Sequence, residues 1–306
     1  MQLGLSSYTF GWAVGMPGHA PTRPLDEHGL LDKCREHGVK LLQIGDNLPL
    51  HTFDEARLAA FAANANGEGA PPVRSAEHCS ARTEASRESV FGSARQFARS
   101  DAPRSGRVQL EVGARRLVPE RVAEYARIAR RLNARLIRFV IDDTGFHPPP
   151  DEVTATLKKC APLLDGLRLG IENHDRFPAA TLREMIERAG DERIGVCLDT
   201  ANSLGAGEGI DVVAETLAPL VLNLHVKDFH IARVPHLMGF TVSGRPAGGG
   251  FLDVPRLLKQ LAPARRCETA VLELWTPPEP RLEDTIAKEA AWAAQSLNYL
   301  KPFFTI

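Results

Sequence analysis

Charge of one sign is missing from this 306-residue chain, in which 37 lysines and arginines face 38 aspartates and glutamates for a formal net charge of −1. Such a balance gives no global attraction for nucleic acid or an anionic membrane. The five cysteines, Cys34, Cys79, Cys160, Cys197 and Cys267, are widely spaced, odd in number and without a C-x-x-C pair. That argues against a disulfide framework or a zinc ribbon and suits free thiols in a reducing compartment. No apolar run approaches the roughly 18 residues needed to span a membrane. The start, Met1-Gln-Leu-Gly-Leu-Ser-Ser7, has no basic region leading into an apolar core. The expectation is a cytoplasmic protein, neither exported nor inserted in a membrane.

Residues 67–106 lack leucine and isoleucine altogether and are dense in Ser, Ala and Arg; their large apolar residues are Val73, Val90, Phe91 and Phe97. So little apolar area cannot organise a core. The segment reads as an insertion, with disorder or loose packing favoured over a lid or a contact arm. Glu77 and His78 lie in it and are given no role. A Gly-x-Gly-x-x-Gly turn after the first strand is also missing, which leaves dinucleotide binding without support. Gly205-Ala-Gly-Glu-Gly209 reads as a loop more easily than as a phosphate cradle.

What is present is an alternation of short apolar runs with helical patterns. Strands are predicted at Leu3–Tyr8, Val39–Asp46, Val108–Val112 and Leu136–Asp142, and four more end at Glu172, Asp199, His225 and Glu273. Helices are predicted at Leu25–His37, Phe53–Asn66, Pro119–Asn133, Asp151–Leu164, Pro178–Gly190, Ile210–Ala218, Asp253–Leu261 and Leu282–Leu300, with a long loop at Phe229–Phe251. In the third helix Val122, Tyr125, Ile128, Ala129 and Leu132 share one face. Eight strand-then-helix units imply parallel strands with crossover helices, hence a single-domain (β/α)8 TIM barrel interrupted between its second helix and third strand. An open doubly wound sheet is the second choice.

Four consecutive predicted strands carry Glu172, Asp199, His225 and Glu273 at or near their C-terminal ends, where such barrels place catalytic groups. One acidic residue at a strand end is usually a cap or an ion-pair partner. Four ligand-type residues at corresponding positions make coincidence the weaker explanation. Three carboxylates and one imidazole suit a single Mn²⁺, with Mg²⁺ or Co²⁺ also fitting, better than a structural zinc.

The segments Gly-Ile-Glu-Asn-His (170–174), Cys-Leu-Asp-Thr-Ala-Asn (197–202), Leu-His-Val-Lys-Asp (224–228), Gly-Gly-Gly-Phe-Leu-Asp (248–253) and Leu-Glu-Leu-Trp (272–275) resemble the sugar-phosphate isomerase/epimerase family with the xylose-isomerase-like TIM barrel. The resemblance implies that Glu172, Asp199, His225 and Glu273 bind one divalent metal, and that Glu172 and Glu273 act as an acid/base pair. It implies a substrate-binding role for Arg233, with His174 beside Glu172 as a second substrate contact. Lys227 and Asp228 read as a possible structural ion pair, Gln43, Glu111 and Arg138 as residues able to line the mouth, and Tyr8, Trp12 and Trp275 as an apolar wall.

The chemistry implied is enolisation of a ketose or keto-sugar acid. One glutamate removes a proton beside the carbonyl, and its return by the other epimerises or isomerises the sugar. Loss of CO₂ from a 3-oxo acid, or loss of a β-hydroxyl, passes through the same kind of species, so a decarboxylase or dehydratase is the leading alternative. Gly4-Leu-Ser-Ser-Tyr-Thr-Phe-Gly-Trp12, Gln43-Ile-Gly-Asp-Asn-Leu-Pro49 and Asp199-Thr-Ala-Asn-Ser-Leu-Gly205 are similar to the family's 3-oxo-isoapionate decarboxylase branch. Asn202 stands where many family members have histidine, which departs from the trinuclear DNA-repair endonucleases of related fold. A silent sugar-binding protein is the remaining alternative, disfavoured by the two glutamates. The expected partner is a small sugar or sugar acid, not nucleic acid or membrane, and a homo-oligomer is compatible with the sequence.

Overall fold

The computed structural model describes residues 1–68 and 106–306. Its strands are β1 (Gln2–Ser6), β2 (Leu41–Ile44), β3 (Gln109–Arg115), β4 (Leu136–Val140), β5 (Arg168–Glu172), β6 (Ile194–Asp199), β7 (Val221–Val226), β8 (Asp228–Arg233), β9 (Phe240–Arg245) and β10 (Thr269–Leu272). All but β8 and β9 close a parallel barrel, in which β1 pairs with β2 on one side and β10 on the other. Leu5 is aligned with both Leu42 and Leu272, the register that seals the cylinder. Around it lie α1 (Gly11–Val14), α2 (Glu27–His37), α3 (Glu55–Ala65), α4 (Pro119–Arg131), α5 (Pro150–Cys160), α6 (Ala179–Ala189), α7 (Ile210–Leu217), α8 (Val254–Leu261) and α9 (Leu282–Leu300). The predicted (β/α)8 barrel is the observed fold.

Local chemistry explains the boundaries. Asp26 and Asp54 accept the Gly29 and Arg57 amides as N-caps of α2 and α3, and Gly38 closes α2 in the left-handed conformation that glycine adopts without strain. The predicted face of α4 is buried, with Tyr125 packed edge-on against Phe139 of β4. Barrel strands are covered on both faces, so they read as nearly continuous apolar runs. Helices fill the outside. The inside is different: Gln43 of β2 donates to Asn223 of β7 at 3.2 Å, a contact between non-neighbouring strands that runs through the barrel interior.

The predicted loop at Phe229–Phe251 is largely a β-hairpin, β8 paired antiparallel with β9. Its exposed positions include the apolar Ile231, Phe240 and Val242, so polarity along the sequence does not follow burial there. Gly244 lets β9 pass against Trp275, where a Cβ would collide with the Trp275 carbonyl. Most of the predicted insertion, including Glu77 and His78, lies outside the described residues. Its flanks meet beneath the barrel: Val108 N–H donates to Ala65 O at 2.7 Å, at the N-terminal end of β3 and opposite the strand ends that carry the acidic cluster.

Candidate active site

Glu172 closes β5, Asp199 closes β6, His225 is the penultimate residue of β7, and Glu273 follows β10 directly. Barrel closure turns these four into one buried cluster. His225 Nδ1 lies 3.2 Å from Glu273 Oε1, 3.5 Å from Glu172 Oε2 and 3.9 Å from Asp199 Oδ2. Ligand atoms of Asp199, His225 and Glu273 all fall within 4.8 Å of one another. Separations of about 3 to 4 Å are the edges expected of ligands roughly 2.1 Å from one shared ion.

Whether a cation fits there is decided by His225. Its Nε2 is 2.7 Å from Gln43 Oε1, an oxygen that can only accept, so Nε2 carries the proton in the neutral ring. The lone pair of Nδ1 then points among carboxylate oxygens. Nδ1 is buried without a hydrogen-bond partner, whereas Asp199 Oδ2 faces the Lys227 ammonium. A lone pair facing anions repels them unless a positive ion stands between, and an outer hydrogen bond of this kind is what metal-bound histidines make. The donor atoms of Asp199, His225 and Glu273 therefore suit a divalent ion, with Glu172 Oε2 3.5 Å from the same His225 nitrogen. Cys197, near Glu172 and His225, is not a suitable ligand: burial first, and then Glu172, raise its thiol well above the usual range, and its Sγ donates to Asn223 Oδ1 at 3.0 Å.

Two cations balance the carboxylates. Lys227 Nζ sits 2.7 Å from Asp199 Oδ2 and 3.0 Å from Glu273 Oε2, leaving Glu273 Oε1 to face His225. Burial opposes a charged Lys227, but Asp199, Glu273 and Glu172 outweigh it and raise its pKa. Burial would likewise raise Glu273, yet the cations Lys227 and Arg138 beside it help to hold it below the usual carboxylate range. Arg138, inward on β4, grips Glu172 Oε2 through Nε and Asp46 Oδ1 through Nη1 at 2.7 Å. Glu172 Oε1 accepts Asn202 Nδ2 at 2.7 Å, and Glu273 Oε1 accepts Ser6 Oγ at 2.9 Å. Asn202 thus steers a glutamate. Tyr8 donates to Asp46 Oδ2 at 3.1 Å, and burial and then Asp46 raise its phenol, keeping it protonated at neutral pH.

Above the cluster opens a cavity of about 570 Å³, whose walls include Tyr8, Trp12, Arg138, Glu172, Lys227 and Glu273. His174 also lines it, with Nδ1 2.6 Å from Asp175 Oδ1. Arg233 does not. It is exposed at the far end of β8, stacked on Phe240 and donating to Leu237 O at 2.8 Å. Asp228 makes no pair with Lys227; its carboxylate accepts the amides of Phe229, Gly248, Gly250 and Leu252. Gln43 and Glu111 are not at the mouth but inside the barrel. The sequence placed Arg138 at the mouth and Tyr8, Trp12 and Trp275 in its wall, where they are found, but gave Asp46 no part and did not link Arg138, Lys227 or Asn202 to the carboxylates. The one available signal was that charged or amide residues sit within apolar strands or just past their ends.

An eight-stranded parallel barrel with acidic, histidine and lysine side chains converging at its C-terminal mouth defines a (β/α)8 barrel with a built polar site. The Xylose isomerase-like TIM barrel family matches residues 31–303, and the chain belongs to it. It is 28% identical over 302 residues to a 3-oxo-isoapionate decarboxylase from Pectobacterium atrosepticum, covering 98% of this chain and 95% of the relative. Among solved structures, a D-psicose 3-epimerase from Clostridium cellulolyticum H10 with D-tagatose aligns over 100% of both chains, with TM-score 0.63 and 12% identity. A magnesium-bound xylose isomerase-like barrel protein from Mycobacterium smegmatis aligns over 97% of both, with TM-score 0.62 and 11% identity. At such identities the structural likeness is one of fold. No helix among the described residues is long and apolar enough to cross a membrane.

Proposed function

We propose that this protein is a divalent-metal-dependent, sugar-modifying enzyme and that its geometry best supports decarboxylation of a 3-oxo sugar acid. The observation carrying this reading is that both glutamates are pinned by cations, Glu172 by Arg138 and Glu273 by Lys227. A carboxylate held by a cation is a weakened base. Loss of CO₂ needs no base to break a C–H bond, because the electron pair comes from the C–C bond. The near-full-length relative with that activity supports the same choice.

A bound ion, Mn²⁺ in our reading with Mg²⁺ or Co²⁺ suiting the same donors, would be held by Glu172, Asp199, His225 and Glu273 and would supply a Lewis acid for the carbonyl and adjacent hydroxyl oxygens. Lys227 and Arg138 turn positive charge toward the substrate's carboxylate. His174 contacts the substrate from the cavity wall; Arg233, engaged at the hairpin end, is assigned no part. Tyr8 gives the carbon that loses CO₂ a proton and recovers it from solvent.

Isomerisation or epimerisation is the second reading, favoured by the approach of Glu172 and Glu273 to His225 from different strands of the same mouth. The test is incubation of the Mn²⁺-loaded protein with 3-oxo sugar acids and ketoses in D₂O, followed by NMR. We expect CO₂ release with one deuterium in the product, slowed about 10²- to 10⁴-fold by Tyr8→Phe. Deuterium entry without CO₂ would move the assignment to the second reading. Neither signal across the panel would leave a binding protein.

A further inference from the structure

The floor of the barrel beneath the acidic cluster holds a second set of buried polar groups that the chemistry above does not use. Gln43 on β2, Glu111 on β3, Asn223 on β7 and Thr269 on β10 are all at least nine-tenths buried. Register brings them together: Gln43 is aligned with Glu111, and Asn223 with Thr269. Their hydrogen bonds run one way. Gln43 Nε2 donates to Glu111 Oε2 at 3.0 Å and to Asn223 Oδ1 at 3.2 Å. Asn223 Nδ2 donates to Thr269 Oγ1 at 2.8 Å and to Glu111 Oε2 at 3.3 Å, and Thr269 Oγ1 donates to Glu111 Oε1 at 2.7 Å. Glu111 receives from three side chains and gives to none.

We infer that Glu111 is a positioning residue that, through Gln43, sets which nitrogen of His225 carries the proton and so makes the imidazole a ligand for a cation. The direction of the network leaves Gln43 one orientation. Its amide nitrogen must face Glu111 and Asn223, so its carbonyl faces His225 Nε2, 2.7 Å away. A reversed Gln43 would set its oxygen against the Glu111 carboxylate and the Asn223 carbonyl, two buried acceptor-to-acceptor contacts. An Nε2–H donor in turn leaves Nδ1 with its lone pair, 3.2 Å from Glu273 Oε1 and 3.5 Å from Glu172 Oε2. With the other tautomer, a proton would occupy the place where the ion is to bind. A carboxylate thus acts on the cluster through an amide without touching substrate or metal.

The inference rests on the metal reading of His225, and its test separates the two. In the metal-free native protein, nitrogen-15 NMR of the imidazole, recorded at a pH where the ring holds a single proton, is expected to show the Nε2–H tautomer; an Nδ1–H tautomer there overturns the inference whatever the protein catalyses. Glu111→Gln keeps the shape but supplies an NH₂ group, allowing Gln43 to turn over and His225 to move its proton to Nδ1. We expect that tautomer change, together with Mn²⁺ affinity by calorimetry weaker by about 10- to 100-fold, the usual cost of losing an outer partner of a metal-bound histidine. Thr269→Val removes one donor without altering the direction and is expected to leave tautomer and affinity close to native. If Glu111→Gln does not fold, Gln43→Met removes the same carbonyl and carries the same expectation for Mn²⁺. Unchanged tautomer and affinity in the folded variant would sink the idea. Native protein with the expected tautomer but no affinity for Mn²⁺, Mg²⁺ or Co²⁺ would instead refute the metal reading.

Discussion

Glu289→Gln offers a quantitative test of how the first loop is held over the cavity. Glu289 lies on α9, is 1% exposed, and accepts the amides of Trp12 at 3.0 Å and Ala13 at 3.2 Å. No cation forms an ion pair with it among the described residues. Burial therefore dominates and, against those amides, pushes its carboxyl from 4.5 up to about 7. A folded pKa above the unfolded one means that the unfolded chain releases this proton first as pH rises. The contribution of the neutral acid is complete below about pH 4.5 and is lost as pH climbs through 7. Over that interval, at about 1.4 kcal/mol per pH unit, the loss is about 3 kcal/mol.

Glutamine has the same shape and cannot ionise. It costs some hydrogen bonding to Trp12 or Ala13, about 1 kcal/mol, but that cost is the same at every pH. Urea unfolding of both proteins at pH 5 and pH 8 isolates the ionisation, because every other titrating group cancels in the double difference. The stability of the variant relative to native is expected to improve by about 2.5 kcal/mol between the two pH values, part of the loss having already occurred by pH 5. Equal differences at pH 5 and pH 8 would refute the reasoning and mean that Glu289 is ionised throughout.

Two further perturbations address the site and its surroundings. Lys227→Met removes the cation between Asp199 and Glu273 and should destabilise the metal-free protein by about 3 to 5 kcal/mol, with Mn²⁺ raising its melting temperature more than that of the native protein; equal Mn²⁺ shifts would contradict the charge balance proposed for the cluster. Asp228→Ala strips the acceptor of four backbone amides that hold residues 248–252 beside β8, for an expected loss of about 3 to 5 kcal/mol in urea unfolding. A loss below about 1 kcal/mol would show that water replaces the carboxylate there.

The barrel and the location of its mouth were legible because each depends on short-range pattern. Strands buried on both faces are continuous apolar runs, and amphipathic helices such as α4 carry their period in the sequence. Glu172, Asp199, His225 and Glu273 stood out as polar residues at the ends of such runs. The hairpin at β8 and β9 was not legible, since apolar Ile231, Phe240 and Val242 stand at exposed positions and break the match between polarity and burial. Neither was the partnership of Arg138 with Glu172, or of Lys227 with Asp199 and Glu273.

Sequence alone thus determined the strand-and-helix units of the barrel, their alternation, and which residues stand at the strand ends. The tertiary structure decided everything that runs across the barrel. Gln43 and His225 are 182 residues apart, yet barrel closure places their side chains 2.7 Å from each other. Which strands face one another across a closed barrel depends on register and shear, and no local pattern in the chain encodes either. That geometry converts four strand-end residues into one buried cluster, pairs each glutamate with a cation, and puts Glu111 beneath them to orient the histidine.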